Sequence, residues 1–370
     1  MKVRFLDLGA AYSELKEEID FAVARVLNSG WYIGGEEVEC FEEQFARYCG
    51  AKYAIGVANG LDALALSLRA MDIGADDEVI VPANTYIATW LAVSICGAKI
   101  VPIEPDPITY NMCPKRIERA LTKKTRAIMP VHLFGLPAEL KPIYKVAERY
   151  NLKVLEDGAQ AHGATYLKGR IGSHGATVAW SFYPGKNLGA MGDAGAITTN
   201  DGDFARRLKR LRNYGSSIKY LNEERGFNSR LDPLQAAILR VKLPYLDEWN
   251  LRRKLIAELY TKSLSNSGLT LPTTPKDCSH AWHLYVVRTR RREHLKKNLA
   301  LAGIESMIHY PTPPHLQAAY QELGLETDRF PITCEISQTC LSLPIGPHLD
   351  LTEAEEVVSS ILSIRHQLDN

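Results

Sequence analysis

A lysine in a glycine-rich loop and an aspartate at the end of an apolar run are the residues best placed for carbonyl chemistry. Lys186 stands in Ser181-Phe-Tyr-Pro-Gly-Lys-Asn-Leu-Gly-Ala-Met-Gly-Asp-Ala-Gly195, where a strand-like run passes into the loop. Desolvation near a buried strand end disfavours the charged amine, and the neutral amine is the form that attacks an aldehyde or ketone. A solvated loop lysine is the competing reading of the same residues. Asp157 stands in Val154-Leu-Glu-Asp-Gly-Ala-Gln-Ala-His162, at or just past the carboxyl end of a strand. Ligands of open α/β sheets bind at that edge. A carboxylate there can keep a heteroaromatic ring nitrogen protonated, which makes the ring an electron sink. Asp is also a good helix cap. Gln160 lies just beyond, within reach of the hydroxyl side of such a ring. His162 reads as a packed or hydrogen-bonded core histidine.

Two further turns carry weaker signals. Val57-Ala-Asn-Gly-Leu-Asp-Ala-Leu64 runs from a strand through Asn-Gly into a helix start. Free backbone N–H groups and the helix dipole make such a start a phosphate cradle, though every strand-to-helix turn shares some of this character. Pro82-Ala-Asn-Thr-Tyr86 follows the next strand. Tyr86 offers an aromatic face on which a planar group stacks, or it packs under the helix that follows.

The elements that must position these residues alternate. Helical spacing marks residues 15–27, 38–48, 61–71, 86–96 and 140–150. Short apolar strands are expected at 53–57, 78–82, 99–103, 127–131 and 153–155. This alternation predicts a parallel or mostly parallel sheet flanked by helices. Strands at 177–182 and 195–199 follow, then a basic helix at 203–211 and a polar loop over 213–230. A helix restarts at Asp232 with a proline in its first turn, and a long helix continues through Tyr260. After a Pro/Thr linker at 270–275, a smaller α+β domain is expected, closed by an amphipathic helix over Asp350–Leu368. The division falls at 1–245 and 246–370.

The chain has 370 residues, with 44 Lys and Arg against 43 Asp and Glu. This even balance argues against nucleic acid or an anionic membrane as the main partner. The N-terminus carries charge where a signal peptide needs an apolar run, and no apolar stretch approaches membrane-spanning length. None of the seven cysteines sits in a CxxC pair, so no metal site is expected, and a cytoplasmic enzyme with reduced thiols is the simplest account. No GxGxxG follows an early strand, which argues against a dinucleotide enzyme.

In order along the chain, Gly30-Trp-Tyr-Ile-Gly-Gly35, Asn59-Gly-Leu-Asp-Ala-Leu64, Asp77-Glu-Val-Ile-Val-Pro82, His132-Leu-Phe-Gly135, Gln160-Ala-His-Gly163, the Lys186 segment, Gly226-Phe-Asn-Ser-Arg230, His309-Tyr-Pro311 and Leu341-Ser-Leu-Pro344 resemble the DegT/DnrJ/EryC1/StrS sugar aminotransferases. The resemblance covers nearly the whole chain. It implies an α/β, type I pyridoxal-phosphate transferase fold: a large domain with a mixed, mostly parallel sheet between helices, and a smaller α+β domain. By position, Lys186 resembles the lysine that bonds pyridoxal 5'-phosphate, and Asp157 the partner of its ring nitrogen. Gln160 resembles the contact to the ring hydroxyl, Tyr86 the stacking aromatic, and Gly60, Leu61 and Ser181 the phosphate contacts. Asn228 resembles the residue that reaches the phosphate from a second subunit, which implies a homodimer with shared sites. Gly158 departs from the alanine or other small residue expected after the aspartate, a change expected to matter little chemically.

Within the family, Ser181-Phe-Tyr-Pro-Gly-Lys186 and Arg212-Asn-Tyr-Gly-Ser-Ser-Ile-Lys-Tyr220 are similar to enzymes that aminate the 3-position of a dTDP-3-keto-6-deoxyhexose. L-glutamate is the implied amino donor, and O-antigen, S-layer or antibiotic sugars the implied destinations. Lys219, Tyr220, Arg225 and Arg230 are candidates for the nucleotide diphosphate. Tyr183, His309 and Tyr310 are candidates for lining the sugar. Amination of a 4-keto or UDP-linked sugar, and a non-catalytic regulatory role, are the rival readings. Sugar dehydratases of the family lack the lysine.

Overall fold

The structure is a computed structural model and describes residues 2–367. Strands β1 (Tyr53–Val57), β2 (Glu78–Pro82), β3 (Lys99–Ile103), β4 (Thr125–Ile128), β5 (Lys153–Asp157), β6 (Thr177–Ser181) and β7 (Gly195–Thr199) form one sheet. Their order is β1-β7-β6-β5-β4-β2-β3. Strands β2 to β6 run parallel, and β7 runs against both of its neighbours. Every residue of β2, Glu-Val-Ile-Val-Pro, is buried, the near-continuous burial of a parallel strand covered on both faces.

Side chains alternate between the two covering layers. Ala54, Val178, Trp180 and Ala196 face a core that holds Phe41 and Phe45 of α3 (Glu36–Cys49), which follows α1 (Leu8–Glu14) and α2 (Lys16–Ser29). Ile55, Ala179 and Ile197 face the opposite core, with Leu64 and Leu68 of α4 (Gly60–Ala70) and Trp90 of α5 (Ile87–Ile95). Helix α6 (Leu140–Arg149) covers Ile80 and Ile128. The last third builds a separate core around an antiparallel pair, β8 (Tyr285–Arg288) and β9 (Cys340–Leu343). Val3, at the other end of the sequence, packs into that same core. Among the described residues, no helix is long and apolar enough to cross a membrane.

Several expectations are corrected. Strand β4 stops at Ile128 rather than Val131, because Pro130 has no N–H for the ladder; the Met129 N–H to the Ile80 carbonyl and an isolated bridge, Val131 to Asp157, carry its line on. A short helix over Leu8–Glu14, capped by the Asp7 carboxylate, was not expected. It has no fully buried residue, so no apolar stripe marks it. The expected long helix is broken by a 3-10 turn at Leu243–Tyr245, which contains Pro244. The polar loop contains a small hairpin, Ser216–Ile218 with Leu221–Asn222. The closing helix ends at Ser363, and Leu368 lies outside the described residues.

Candidate active site

The carboxyl ends of β2, β5 and β6 open onto one cleft. Asp157 is the last residue of β5, held by its backbone N–H to the Pro130 carbonyl at 2.8 Å. Its carboxylate accepts from Thr89 Oγ1 at 2.9 Å and from the Ala159 N–H at 3.2 Å. Burial pushes its pKa up, while those donors and the Lys186 charge oppose the rise. Thr89 lies on the buried face of α5 and in turn meets Thr85 at 2.8 Å. Sequence reasoning missed Thr89, and its spacing one helical turn after Tyr86 is the signal that was available.

Lys186 sits in the loop after β6. Burial pulls its amine down to about 8 against the opposing pull of Asp157. His162, His283 and His309 share its surroundings and are kept neutral by burial, which pulls His162 down to about 3 and His309 to about 4. The expected reading of His162 as a core histidine agrees with its place between Trp180 and Phe182. Asn187, also missed from the sequence, fixes the loop. Its amide donates to Asn250 Oδ1 at 2.8 Å and to the Ala281 carbonyl at 2.7 Å, and its oxygen meets His283 Nδ1 at 3.1 Å. With both amide hydrogens committed, the oxygen must accept, so His283 carries its proton on Nδ1.

The phosphate-cradle geometry is explicit. Asn59 caps α4, its Oδ1 accepting from the Asp62 N–H at 2.8 Å. The N–H groups of Gly60 and Leu61 occupy the first turn, where no intrahelical acceptor exists. Gly60 lies against Ser181 so closely that a Cβ would come within 2.6 Å of the serine Cβ. Tyr86 exposes about half of its surface and lies 5.3 Å from Tyr310, ring centre to ring centre. Tyr310 Oη accepts from Gln160 Nε2 at 3.0 Å, and Gln160 Oε1 accepts from the Phe134 N–H at 2.5 Å. His309 Nδ1 meets Ser342 Oγ at 2.8 Å, which brings the C-terminal body to the cleft.

Thus Tyr310 links Tyr86, Gln160 and Asp157, Asp157 links to Lys186 and Lys186 to His309, while Gly60 and Leu61 start α4 against Ser181; Tyr183 is exposed. Lys219, Tyr220 and Arg225 instead lie on and after the exposed hairpin. Tyr220 is 89% exposed, with Lys219 over its ring. Arg230 donates to Asn213 Oδ1 at 3.0 Å, and Asn228 is exposed next to it. Gly158 has a packing role, which leaves the chemical expectation untouched. A Cβ there would approach Val178 Cγ1 to 2.7 Å and the Trp180 ring to 3.1 Å.

A seven-stranded sheet of this order, with a lysine and an aspartate at its carboxyl edge, defines a type I pyridoxal-phosphate aminotransferase. The chain belongs to the DegT/DnrJ/EryC1/StrS aminotransferase family, whose model matches residues 13–362. It is 54% identical to the dTDP-3-amino-3,6-dideoxy-alpha-D-galactopyranose transaminase of Aneurinibacillus thermoaerophilus, over 97% of this chain and 98% of the relative. It is 51% identical to the erythromycin biosynthesis sensory transduction protein EryC1 of Saccharopolyspora erythraea, over 98% and 99%. The crystal structure of S. venezuelae DesV in complex with a ketimine intermediate superposes with a TM-score of 0.97 at 49% identity, covering 98% of each chain. The donor set fits pyridoxal phosphate: a buried amine, a buried carboxylate, and a helix start kept open by a glycine.

Proposed function

We propose that the chain uses pyridoxal 5'-phosphate to move an amino group from L-glutamate to the 3-position of a dTDP-3-keto-6-deoxyhexose. The product is a dTDP-3-amino-3,6-dideoxyhexose, and the enzyme works as a cytoplasmic homodimer. The observation that carries the reading is geometric: Asp157 ends β5, Lys186 lies in the loop after the neighbouring parallel strand β6, and the buried amine lies in the field of the buried carboxylate. The dTDP-3-amino sugar named for the Aneurinibacillus relative supports the substrate. Pyridoxal phosphate, when bound, supplies an aldehyde for the amino group and a ring that takes up an electron pair. With pyridoxal phosphate bound, Lys186 Nζ would take the proton from the donor α-carbon and return it to the cofactor's aldehyde carbon, on the far side of the transferred nitrogen, and would run the same shift in reverse for the sugar. Asp157 holds a proton on the ring nitrogen by its negative charge. Gly60, Leu61 and Ser181 hold the phosphate, Tyr86 stacks on the ring, and Gln160 meets the ring hydroxyl. His309, Tyr310 and Tyr183 line the sugar side.

The dimer is supported by apolar surface that one chain leaves open. Trp31 is 65% exposed, and Tyr32, Ile33, Ile218, Tyr220, Leu221 and Phe227 are exposed as well. Such a surface fits an interface better than solvent. In this arrangement the hairpin and the segment after it carry Lys219, Tyr220, Arg225 and Arg230 toward the partner's nucleotide, and Asn228 toward its phosphate.

The test is the absorption spectrum of the purified, pyridoxal-phosphate-loaded protein. A yellow band that L-glutamate bleaches and dTDP-3-keto-6-deoxyglucose restores is the expected result. Bleaching without restoration moves the substrate to 4-keto or UDP-linked sugars. A protein that never turns yellow fits the regulatory reading that the name of the Saccharopolyspora relative suggests.

A further inference from the structure

Asp157 and Glu156 are neighbours on β5, so their side chains point to opposite faces. Asp157 faces the cleft. Glu156, 1% exposed, faces α6 and is held there by two neutral donors. His132, 0% exposed, meets Glu156 Oε2 through Nε2 at 2.8 Å, and the Tyr144 hydroxyl of α6 makes a close hydrogen bond to Oε1. His132 Nδ1 accepts the Ala138 N–H at 2.9 Å, so its proton must sit on Nε2 and point at the carboxylate. A buried carboxylate on neutral donors is a costly way to fill a core. Its return is geometric, because a satisfied buried network holds its members in one arrangement.

What it holds is the turn at residues 132–135. The His132 N–H donates to the Asp157 carbonyl at 3.0 Å. The Phe134 N–H donates to Gln160 Oε1, and Phe134 itself sits in the left-handed region at φ 60°, a conformation that persists only where the surroundings enforce it. The Phe134 and Gly135 carbonyls accept from Leu284 and Ala281, on the strap that leads into the C-terminal body. A Cβ on Gly135 would come within 2.9 Å of the His283 nitrogen. One turn therefore touches Gln160 on one side and the strap on the other.

We propose that His132, Glu156 and Tyr144 form a positioning latch behind the sheet. It fixes the 132–135 turn and, through the Phe134 N–H, the orientation of Gln160 toward the cofactor's ring hydroxyl. The inference rests on the reading of the cleft as a pyridoxal-phosphate site. All three lie on the face of β5 opposite Asp157, so they are positioning residues.

The test is a double-mutant cycle on cofactor affinity, read by titrating the cofactor-free full chain with pyridoxal phosphate. Tyr144→Phe and Glu156→Gln are each measured with Gln160 present and in a Gln160→Ala background. Each should weaken affinity about tenfold beside Gln160 and less than about twofold without it, since coupled residues are non-additive. The visible absorption band of the Tyr144→Phe protein should also shift in the direction that Gln160→Ala shifts it. Equal losses in both backgrounds, or an unmoved band with native affinity, reduce the network to core stability and overturn the proposal. If Glu156→Gln fails to fold, Tyr144→Phe decides alone, since it leaves the carboxylate and His132 in place. A parent chain that binds no pyridoxal phosphate overturns the site reading and this inference together, whereas failure of the cycle alone leaves the site reading standing.

Discussion

Two lysines of this chain, Lys186 and Lys242, are both pulled down to about 8 by burial. A lowered pKa therefore does not single out the reactive amine, and geometry must. Lys242 Nζ donates to the Gly189 carbonyl at 2.8 Å and supports the far end of the lysine loop. Lys186 alone feels the charge of Asp157 and lies among the three neutral histidines. The attacking form is the neutral amine, which is half of the population at the pKa and about a tenth one unit below it. Capture of pyridoxal phosphate by the cofactor-free enzyme should therefore accelerate as pH rises, with a midpoint at about 8, and level off above it. Borohydride reduction followed by peptide mass spectrometry should find the cofactor on Lys186 and leave Lys242 unmodified. A midpoint near the ordinary lysine value, or label on Lys242, would refute the assignment. Lys186→Ala should abolish turnover and still bind the cofactor through its other contacts.

At the scale of elements, α4 shows how a short segment builds a binding surface. The Asn59 cap starts the helix, and the missing Cβ of Gly60 lets the first turn press against Ser181 at the end of β6. Gly60→Ala would force these two segments apart where the phosphate is expected. The variant should lose preference for pyridoxal phosphate over unphosphorylated pyridoxal, with the affinity ratio falling about tenfold because its donors no longer converge. An unchanged ratio would place the phosphate elsewhere. Much of this element logic was legible beforehand. Strands β1, β2, β3 and β7 fall at the expected residues, because each is a short buried apolar run with turn signals at both ends. Asp157 stood out as a polar residue at the end of such a run, and Lys186 as the lysine of the glycine-rich loop that follows one. Thr89, Asn187 and His283 were not. Thr89 meets Asp157 across 68 residues of sequence, and Asn187 meets His283 across 96. No local periodicity encodes such pairings. The helix over Leu8–Glu14 was missed for the opposite reason, since it buries nothing that would leave a pattern.

The whole molecule poses the question of what one chain lacks. Residues 227–229 are held firmly: the Phe227 N–H donates to the Leu211 carbonyl at 2.7 Å, and the Ala58 N–H donates to Ser229 Oγ at 3.3 Å. Asn228 between them is nevertheless exposed. A polar residue presented on a fixed strap beside open apolar surface suits a contact made to another copy. If Asn228 of one subunit serves the phosphate of the other, Lys186→Ala and Asn228→Ala chains should complement each other. Each mixed dimer would hold one doubly damaged site and one site with native Lys186 from one chain and native Asn228 from the other. Random pairing of equal amounts makes half of the dimers mixed, so about a quarter of all sites would be intact. Coexpressed chains assayed at limiting pyridoxal phosphate should therefore recover about that fraction of native activity, well above the sum of the two variants alone. If Asn228 served its own subunit, every site in the mixture would carry one defect or the other, and the activity would equal the average of the two parents.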